Sequence, residues 1–153
     1  MANKSKAKGT AFETSVTRYI NGWVGEKVCE RVVLHGNKDH GDLCLTVDDL
    51  TLTVEAKWRK SYPSRSEEID FRRQTITETA NAGTDGGILV VNRFRQSIGV
   101  SEVWMDASTW LLIHGTVSGD NSLTYGDWAI SDWGCMRLED FCYVCFGKPR
   151  TEV

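Results

Sequence analysis

Proline is nearly missing from this chain, with two in 153 residues. Long apolar runs are missing as well, none approaching the roughly 18 to 20 residues that a membrane-spanning helix needs. The stretch Met1 to Lys8 lacks the apolar segment of a secretory signal. With 41% hydrophobic and 25% charged residues, the composition excludes collagen-like and disordered classes. A soluble protein of the cytoplasm, without a membrane partner, is expected. A disulfide framework is not suggested either, because the five cysteines are odd in number and an intracellular setting keeps thiols reduced. Cys142 and Cys145 form a close pair, half of a zinc site or a redox motif. Cys135 alone does not complete a zinc set, so the cysteines read as core or strand residues. A basic excess is also absent: the net charge of −3 argues against a protein that coats DNA. The cations are nevertheless unevenly placed, at Lys4, Lys6 and Lys8, then Lys57, Arg59, Lys60, Arg65, Arg72, Arg73, Arg93 and Arg95, which leaves room for local basic patches.

What is present suffices for one core, since 153 residues is the usual length of a single domain. Residues 1–8 are expected as a basic flexible tail, 9–105 as the core and 106–153 as a C-terminal extension. From Thr10 to Trp23, apolar residues fall at Phe12, Val16, Tyr19, Ile20 and Trp23, the spacing of a helix with one buried face. Thr10 and Glu13 match a capping box at its start, which would give Glu13 a structural role. Val28 to Leu34 alternates as a strand, and a polar loop follows over 36–41.

The next two segments, Asp42 to Val47 and Leu50 to Lys57, both alternate and are separated by Asp48 and Asp49, a hairpin signature. Placing Val47 opposite Leu50 puts Leu45 opposite Leu52, Leu43 opposite Val54, Asp42 opposite Glu55 and His40 opposite Lys57. All six apolar residues then share one face, while Asp42, Glu55 and Lys57 share the other; a slip of one residue would destroy both sets. Directly opposed carboxylates, with Cβ atoms about 4.5 to 5.5 Å apart, repel unless a cation lies between them. Magnesium, with oxygen ligands at about 2.0 to 2.1 Å, suits one or two carboxylates plus water and phosphate. Lys57 can orient water or offset charge on a phosphate, and His40 can touch substrate. The competing reading is a surface hairpin whose acids and lysine form ordinary salt bridges.

The segments Lys8 to Glu13, Gly41-Asp42-Leu43 and Val54-Glu55-Ala56-Lys57 together resemble the PD-(D/E)XK nuclease superfamily, and within it the Holliday junction resolvase-like enzymes of archaea and bacteriophages. The resemblance spans residues 8–95. It implies an α/β, restriction-endonuclease-like αβββαβ core, a mixed central sheet flanked by helices. It also implies a Mg2+- or Mn2+-dependent endonuclease acting on DNA, selective for branched structures. Asp42 and Glu55 would bind metal with the Ala56 carbonyl, Glu13 would be the acid of the first helix that completes the metal shell, and Lys57 would be the catalytic lysine. A two-fold homodimer is implied too, because resolvases cut two strands symmetrically, with action in the host cytoplasm if the chain is phage-encoded. Gly41 stands where the motif name has proline. A restriction-like or nicking nuclease on duplex DNA would carry the same motifs, and a catalytically inactive phage protein that binds nucleic acid or a host factor is a further alternative.

Beyond the motif, a loop over 61–66 leads into Glu67 and Glu68, acids suited to a helix start behind a serine. That helix should run to about Asn81 and stop at Gly83, before a buried strand over 87–92. The side chains expected on DNA are Lys8, His40, Arg59, Lys60, Arg72, Gln74 and Arg93. For Arg72, Arg73 and Gln74 a solvated helix face is the alternative, and for Arg93 and Arg95 a soluble strand end. A strand over 100–105 and a short helix over 106–113 capped by Asp106 follow. Residues 114–133, containing Trp128 and Trp133, read as a loop region suited to core packing, subunit contact or base stacking. For 138–147 periodicity does not separate strand from helix.

Overall fold

The hairpin adopts the register that its alternation predicts. In the computed structural model, which describes residues 3–33, 36–119 and 133–150, β2 (Leu43–Val47) and β3 (Leu50–Lys57) pair antiparallel. Leu43 lies opposite Val54, Leu45 opposite Leu52 and Val47 opposite Leu50. The two-residue turn closes because Asp48 takes φ 52°, a left-handed conformation that aspartate tolerates better than most residues. On β3, Leu50, Leu52, Val54 and Ala56 join the main core. Glu55 and Lys57 face the other way by the period of two.

Around this hairpin the described residues form one six-stranded mixed sheet in chain order. Its first strand is β1 (Cys29–Arg31), and β4 (Gly86–Val91), β5 (Glu102–Asp106) and β6 (Trp133–Arg137) extend it past β3. Only β3 and β4 run parallel, and their crossover is α2 (Arg65–Ala82), as a parallel pair requires. The helices α1 (Asn3–Val24), α3 (Ala107–Ser118) and α4 (Leu138–Phe146) complete the chain. Phe12, Val16 and Ile20 of α1, Ile113 of α3 and Leu138, Phe141, Cys142 and Cys145 of α4 share one core with Leu52, Val54, Ile88 and Val90. Each such fully buried aliphatic side chain contributes about 1.5 to 3 kcal/mol. The other face is thinner: Phe71 of α2 packs on Leu89 and Val91, with Trp104 and Trp133 beside them.

On that second face, α2 lies very close to the sheet. A Cβ on Gly87 would come within 2.1 Å of Thr79 Oγ1, so glycine is what lets this helix settle. Ser64 caps it by accepting from the Glu67 amide, two residues earlier than the serine next to Glu67. Gly83 ends it in the left-handed region at φ 66°, as expected for a C-terminal glycine.

Several expectations are corrected. The first helix begins at Asn3, so Lys4, Lys6 and Lys8 lie on a helix rather than in a flexible tail. Lysine and alanine are good helix formers and Gly9 costs only about 1 kcal/mol, which the docked stripe further on tolerates. Thr10 and Glu13 are therefore inside a helix and form no capping box. The first strand is shorter than 28–34, since Val32 and Val33 lie past its end. The segment after 105 is no appendage: β6 completes the sheet and α4 lies in the main core. Asp106 does cap α3, accepting from the Thr109 amide at 2.8 Å, but that helix runs on to Ser118. Residues 138–146 are helical, and Trp128 is outside the described residues. All five cysteines are free thiols, and Cys142 and Cys145 are buried in the core, as expected of core residues. Among the described residues no helix is long and apolar enough to cross a membrane.

Candidate active site

Gly41 determines how the acid of the hairpin's first strand is presented. Its φ of +85° is in the region that favours glycine, and proline, locked near −65°, cannot enter it. A Cβ there would also meet Thr53 Cγ2 at 2.6 Å. Proline, the residue in the motif that the sequence resembles, is excluded here on steric grounds. The turn at Gly41 lets the Asp42 amide donate to the Val54 carbonyl at 3.1 Å, after the regular pairs have ended at Leu43 and Val54. The ladder reaches neither Asp42 nor His40, so Asp42 is not paired with Glu55, nor His40 with Lys57, as the register had implied. The Asp42 carboxylate folds onto β3 instead, and its Oδ2 accepts from the Ala56 amide at 2.9 Å.

Glu55 and Lys57 are adjacent on the α2 face. Lys57 Nζ lies 2.6 Å from Glu55 Oε1, with the Glu55 side chain 3% and the Lys57 side chain 18% exposed. The ammonium also stands 5.4 Å from the centre of the Phe71 ring. The second Glu55 oxygen, Oε2, is buried with no hydrogen-bond partner among the described residues. Opposite it stands a residue that the sequence reading missed. Glu78 of α2 is 1% exposed, receives Gln74 Nε2 on Oε1 at 2.8 Å, and has no donor for its Oε2 while ionised; when protonated it hydrogen-bonds the Glu55 carboxylate. Burial first, then the facing Glu55 carboxylate, pushes the Glu78 carboxyl up to about 10. Burial and then the Glu55 charge push the Asp42 carboxyl up to about 7, against the opposing effect of the Ala56 amide. These acids outnumber the one lysine among them, and either a proton or a cation must relieve the excess. The buried residues of α2, Phe71, Thr75 and Glu78, stand at i, i+4 and i+7, but a stripe with one apolar residue among a threonine and a glutamate gave no apolar periodicity to mark it in the sequence.

Glu13 lies across the neighbouring cleft of about 490 Å³, which Asp42, Arg31 and Asp39 also line. Arg31 Nη1 donates to Glu13 Oε2 at 2.7 Å, and Arg31 Nη2 reaches the Thr10 carbonyl and the Thr14 hydroxyl, each at 3.1 Å. The Glu13 charge still contributes to raising Asp42. Among the described residues no three carboxylate, imidazole or thiol groups converge into a metal-ligating set. As placed, Glu13 and Glu55 are neutralised by Arg31 and Lys57. In its chemistry the donor set still fits a hard divalent cation: oxygen only, largely buried, with unpartnered Glu55 and Glu78 oxygens.

The expected DNA contacts separate into two groups. Lys8 extends from α1 with its ammonium 4.6 Å from the centre of the Trp58 ring, and Lys60 is exposed just past β3. Half-buried His40 precedes Gly41. Arg59 pairs with Glu67 at 3.2 Å and lies over the Phe71 ring. Arg93 pairs with Glu102 at 2.6 Å, its side chain half exposed. The two α2 residues face inward: Arg72 bonds Glu68 at 2.5 Å and lies over the Trp104 and Trp133 rings, and Gln74 holds Glu78.

A helix, a three-stranded antiparallel meander, a crossover helix and a parallel fourth strand make this a mixed α/β fold of the restriction-endonuclease-like kind. No protein-family model matches the chain, and no curated protein matches it. Among solved structures it is similar to Hjc of Archaeoglobus fulgidus, described as a Holliday junction resolvase from an archaeal hyperthermophile, with 20% identity and a TM-score of 0.43. That likeness covers 63% of this chain and 70% of the other, and neither activity nor substrate follows from it.

Proposed function

We propose that this protein is a metal-dependent endonuclease that hydrolyses DNA phosphodiester bonds, with selectivity for branched DNA. The observation that carries the reading is the buried Glu55–Lys57 pair on the α2 face, with Asp42 folded onto the next residue and unpartnered Glu55 and Glu78 oxygens beside it. A structural ion pair has no need of surplus buried carboxylates, which cost stability unless a proton or a bound cation compensates them. Asp42, Glu55 and the Ala56 carbonyl would hold Mg2+ or Mn2+, and Glu13 would join them by exchanging Arg31 for the cation. When bound, such an ion supplies Lewis-acid stabilisation of the phosphate and activation of water. Lys57 orients the attacking water and offsets charge on the phosphate as it develops. Lys8, His40, Arg59, Lys60 and Arg93 would meet phosphates. Arg72 and Gln74 would act from behind, Gln74 by holding Glu78. Selectivity for branched DNA and a two-fold dimer rest on the motif resemblance, which also suits a cytoplasmic place of action.

The test is cleavage of labelled four-way junction, flap and linear duplex DNA in Mg2+ or Mn2+, by wild type, Asp42→Asn and Lys57→Ala. Junction-selective cutting that both variants lose supports the full reading. Equal cutting of all three substrates keeps the nuclease and removes the branch selectivity. A second reading, a catalytically inactive nucleic-acid-binding protein, is favoured by the two ion pairs that already occupy Glu13 and Glu55. It predicts no calorimetric heat of Mn2+ binding that depends on Asp42 and Glu55.

A further inference from the structure

One residue past Lys57 the chain enters a second groove, lined from α1 by Lys8, Phe12 and Ser15 and from the opposite side by Trp58, Arg93 and Phe94, among others. Its volume is about 370 Å³, within the roughly 300 to 1,000 Å³ usual for small-ligand clefts and far too small for a duplex. In a chain of net charge −3, three cations, Lys8, Arg93 and Arg95, line this groove and among the described residues no carboxylate does; Arg93 is held from behind by Glu102 at 2.6 Å, which leaves Lys8 and Arg95 as the cations without a carboxylate partner in the groove wall. The neighbouring cleft, by contrast, holds Glu13, Asp39 and Asp42. The groove is aromatic as well as basic. Phe94 is 46% exposed, with the Arg95 guanidinium 5.2 Å from its ring centre, and half-buried Trp58 packs against the main core while its ring meets the ammonium of Lys8, on an exposed turn of α1, at 4.6 Å. Asn92, which also lines the groove, clamps the backbone of Arg59 from both sides, so Trp58 is held before any ligand arrives.

We propose that this groove receives one unstacked nucleotide of a single DNA strand, its base against Trp58 and Phe94 and its phosphate on Lys8, Arg93 and Arg95. Aromatic faces reward a base only when that base has left its own stack, whereas cations track any phosphate backbone. A groove that combines both, at nucleotide size, selects an unpaired strand over continuous duplex. The inference rests on the nuclease reading for its biological meaning, and it narrows the substrate to DNA with an unpaired segment beside the cut. The ammonium on the indole marks the place that the base would take, and Lys8 would then turn to the phosphate.

The test uses full-length protein carrying Asp42→Asn, with chelator present, so that binding is measured without cleavage. Fluorescence anisotropy compares a labelled duplex bearing a single-stranded thymidine flap with the same duplex lacking it. The flapped DNA should bind at least tenfold more tightly and quench tryptophan fluorescence. Phe94→Ala and Trp58→Ala should each reduce the flap-to-duplex affinity ratio by roughly five- to a hundredfold, the range for one lost stacking contact, and Trp58→Phe should restore part of it. Phe94 is exposed, so its variant stays informative if Trp58→Ala does not fold. Equal affinity for both DNAs in the starting protein, or a ratio unchanged in Phe94→Ala, overturns the proposal. Cleavage by the wild-type chain in Mn2+ separates the two ideas. Ring-dependent flap binding without any cleavage keeps the groove and removes the nuclease, and cleavage without flap preference does the reverse.

Discussion

Asn92 takes hold of Arg59 by both backbone groups: its Oδ1 accepts from the Arg59 amide at 2.6 Å, and its Nδ2 donates to the Arg59 carbonyl at 2.9 Å. The side chain thereby imitates a further strand rung beyond the last β3–β4 pair, Lys57 with Val91. It orders the backbone on which Lys57 ends and Trp58 begins. Replacing it with alanine should cost about 1 to 3 kcal/mol, two hydrogen bonds at about 0.5 to 1.5 kcal/mol each. Denaturant unfolding measures this. A loss below a few tenths of a kcal/mol would mean that the clamp is dispensable.

Gly41 should tolerate neither alanine nor the proline of the motif. Its φ of +85°, and the Thr53 methyl that would stand 2.6 Å from any Cβ added there, make the position glycine-specific. Gly41→Ala should cost about 1 to 3 kcal/mol for the strained backbone, and Gly41→Pro more, because no rotation accommodates its ring. Both should impair cleavage beyond their effect on folding, since Asp42 is presented from this turn. Cleavage rates measured well below each variant's melting temperature check that separation.

Stability of the chelated protein should fall as pH rises. The Asp42 and Glu78 carboxyls, raised to about 7 and about 10 by burial and by Glu55, hold protons in the folded state that an unfolded chain has released above about pH 4. The folded state therefore binds more protons than the unfolded one, and stability declines with pH. The contribution is fully present below about pH 4 and is lost as pH climbs through the two raised values. Thermal melting in chelator across pH 5 to 9 should show the decline, and Glu78→Gln should flatten it. Saturating Mn2+ should raise the melting temperature most at the alkaline end. A flat profile in the wild type would show that these carboxyls are not strained in solution.

Lys57→Ala removes more than the proposed catalytic group. It strands Glu55 Oε1 inside the protein, and breaking a buried pair costs about 3 to 5 kcal/mol. Glu55→Gln combined with Lys57→Met should recover much of that stability and still not cleave DNA. Melting curves beside cleavage assays on the single and double variants check both halves. Cleavage by the stable double variant would remove the pair from the mechanism.

Much of the site was legible because its geometry is local. Alternation on either side of Asp48 and Asp49 placed Leu43, Leu45 and Val47 opposite Val54, Leu52 and Leu50, and a pleated strand then had to put Glu55 and Lys57 on one face. Glu78 was harder to read. Its helix is polar, and its burial follows from Gly87 admitting α2 against the sheet, a contact that local periodicity does not contain. Glu13 fits a capping box only if the helix starts where the apolar stripe does, at Thr10, whereas the helix starts earlier and the partner of Glu13 is Arg31, 18 residues away.

By itself the sequence determined the hairpin and its register, the shared face of Glu55 and Lys57 on β3, and the glycine at the end of α2, because each depends on neighbouring residues and backbone sterics. The tertiary structure alone decided that α1 would extend to Asn3, that β6 and α4 would complete the sheet and core, and that Glu78 would face Glu55. It also decided that Lys8 would meet Trp58 across a groove. Those outcomes depend on which surfaces meet after the chain has folded back on itself, and the free energy of such contacts belongs to pairs of segments rather than to either segment alone.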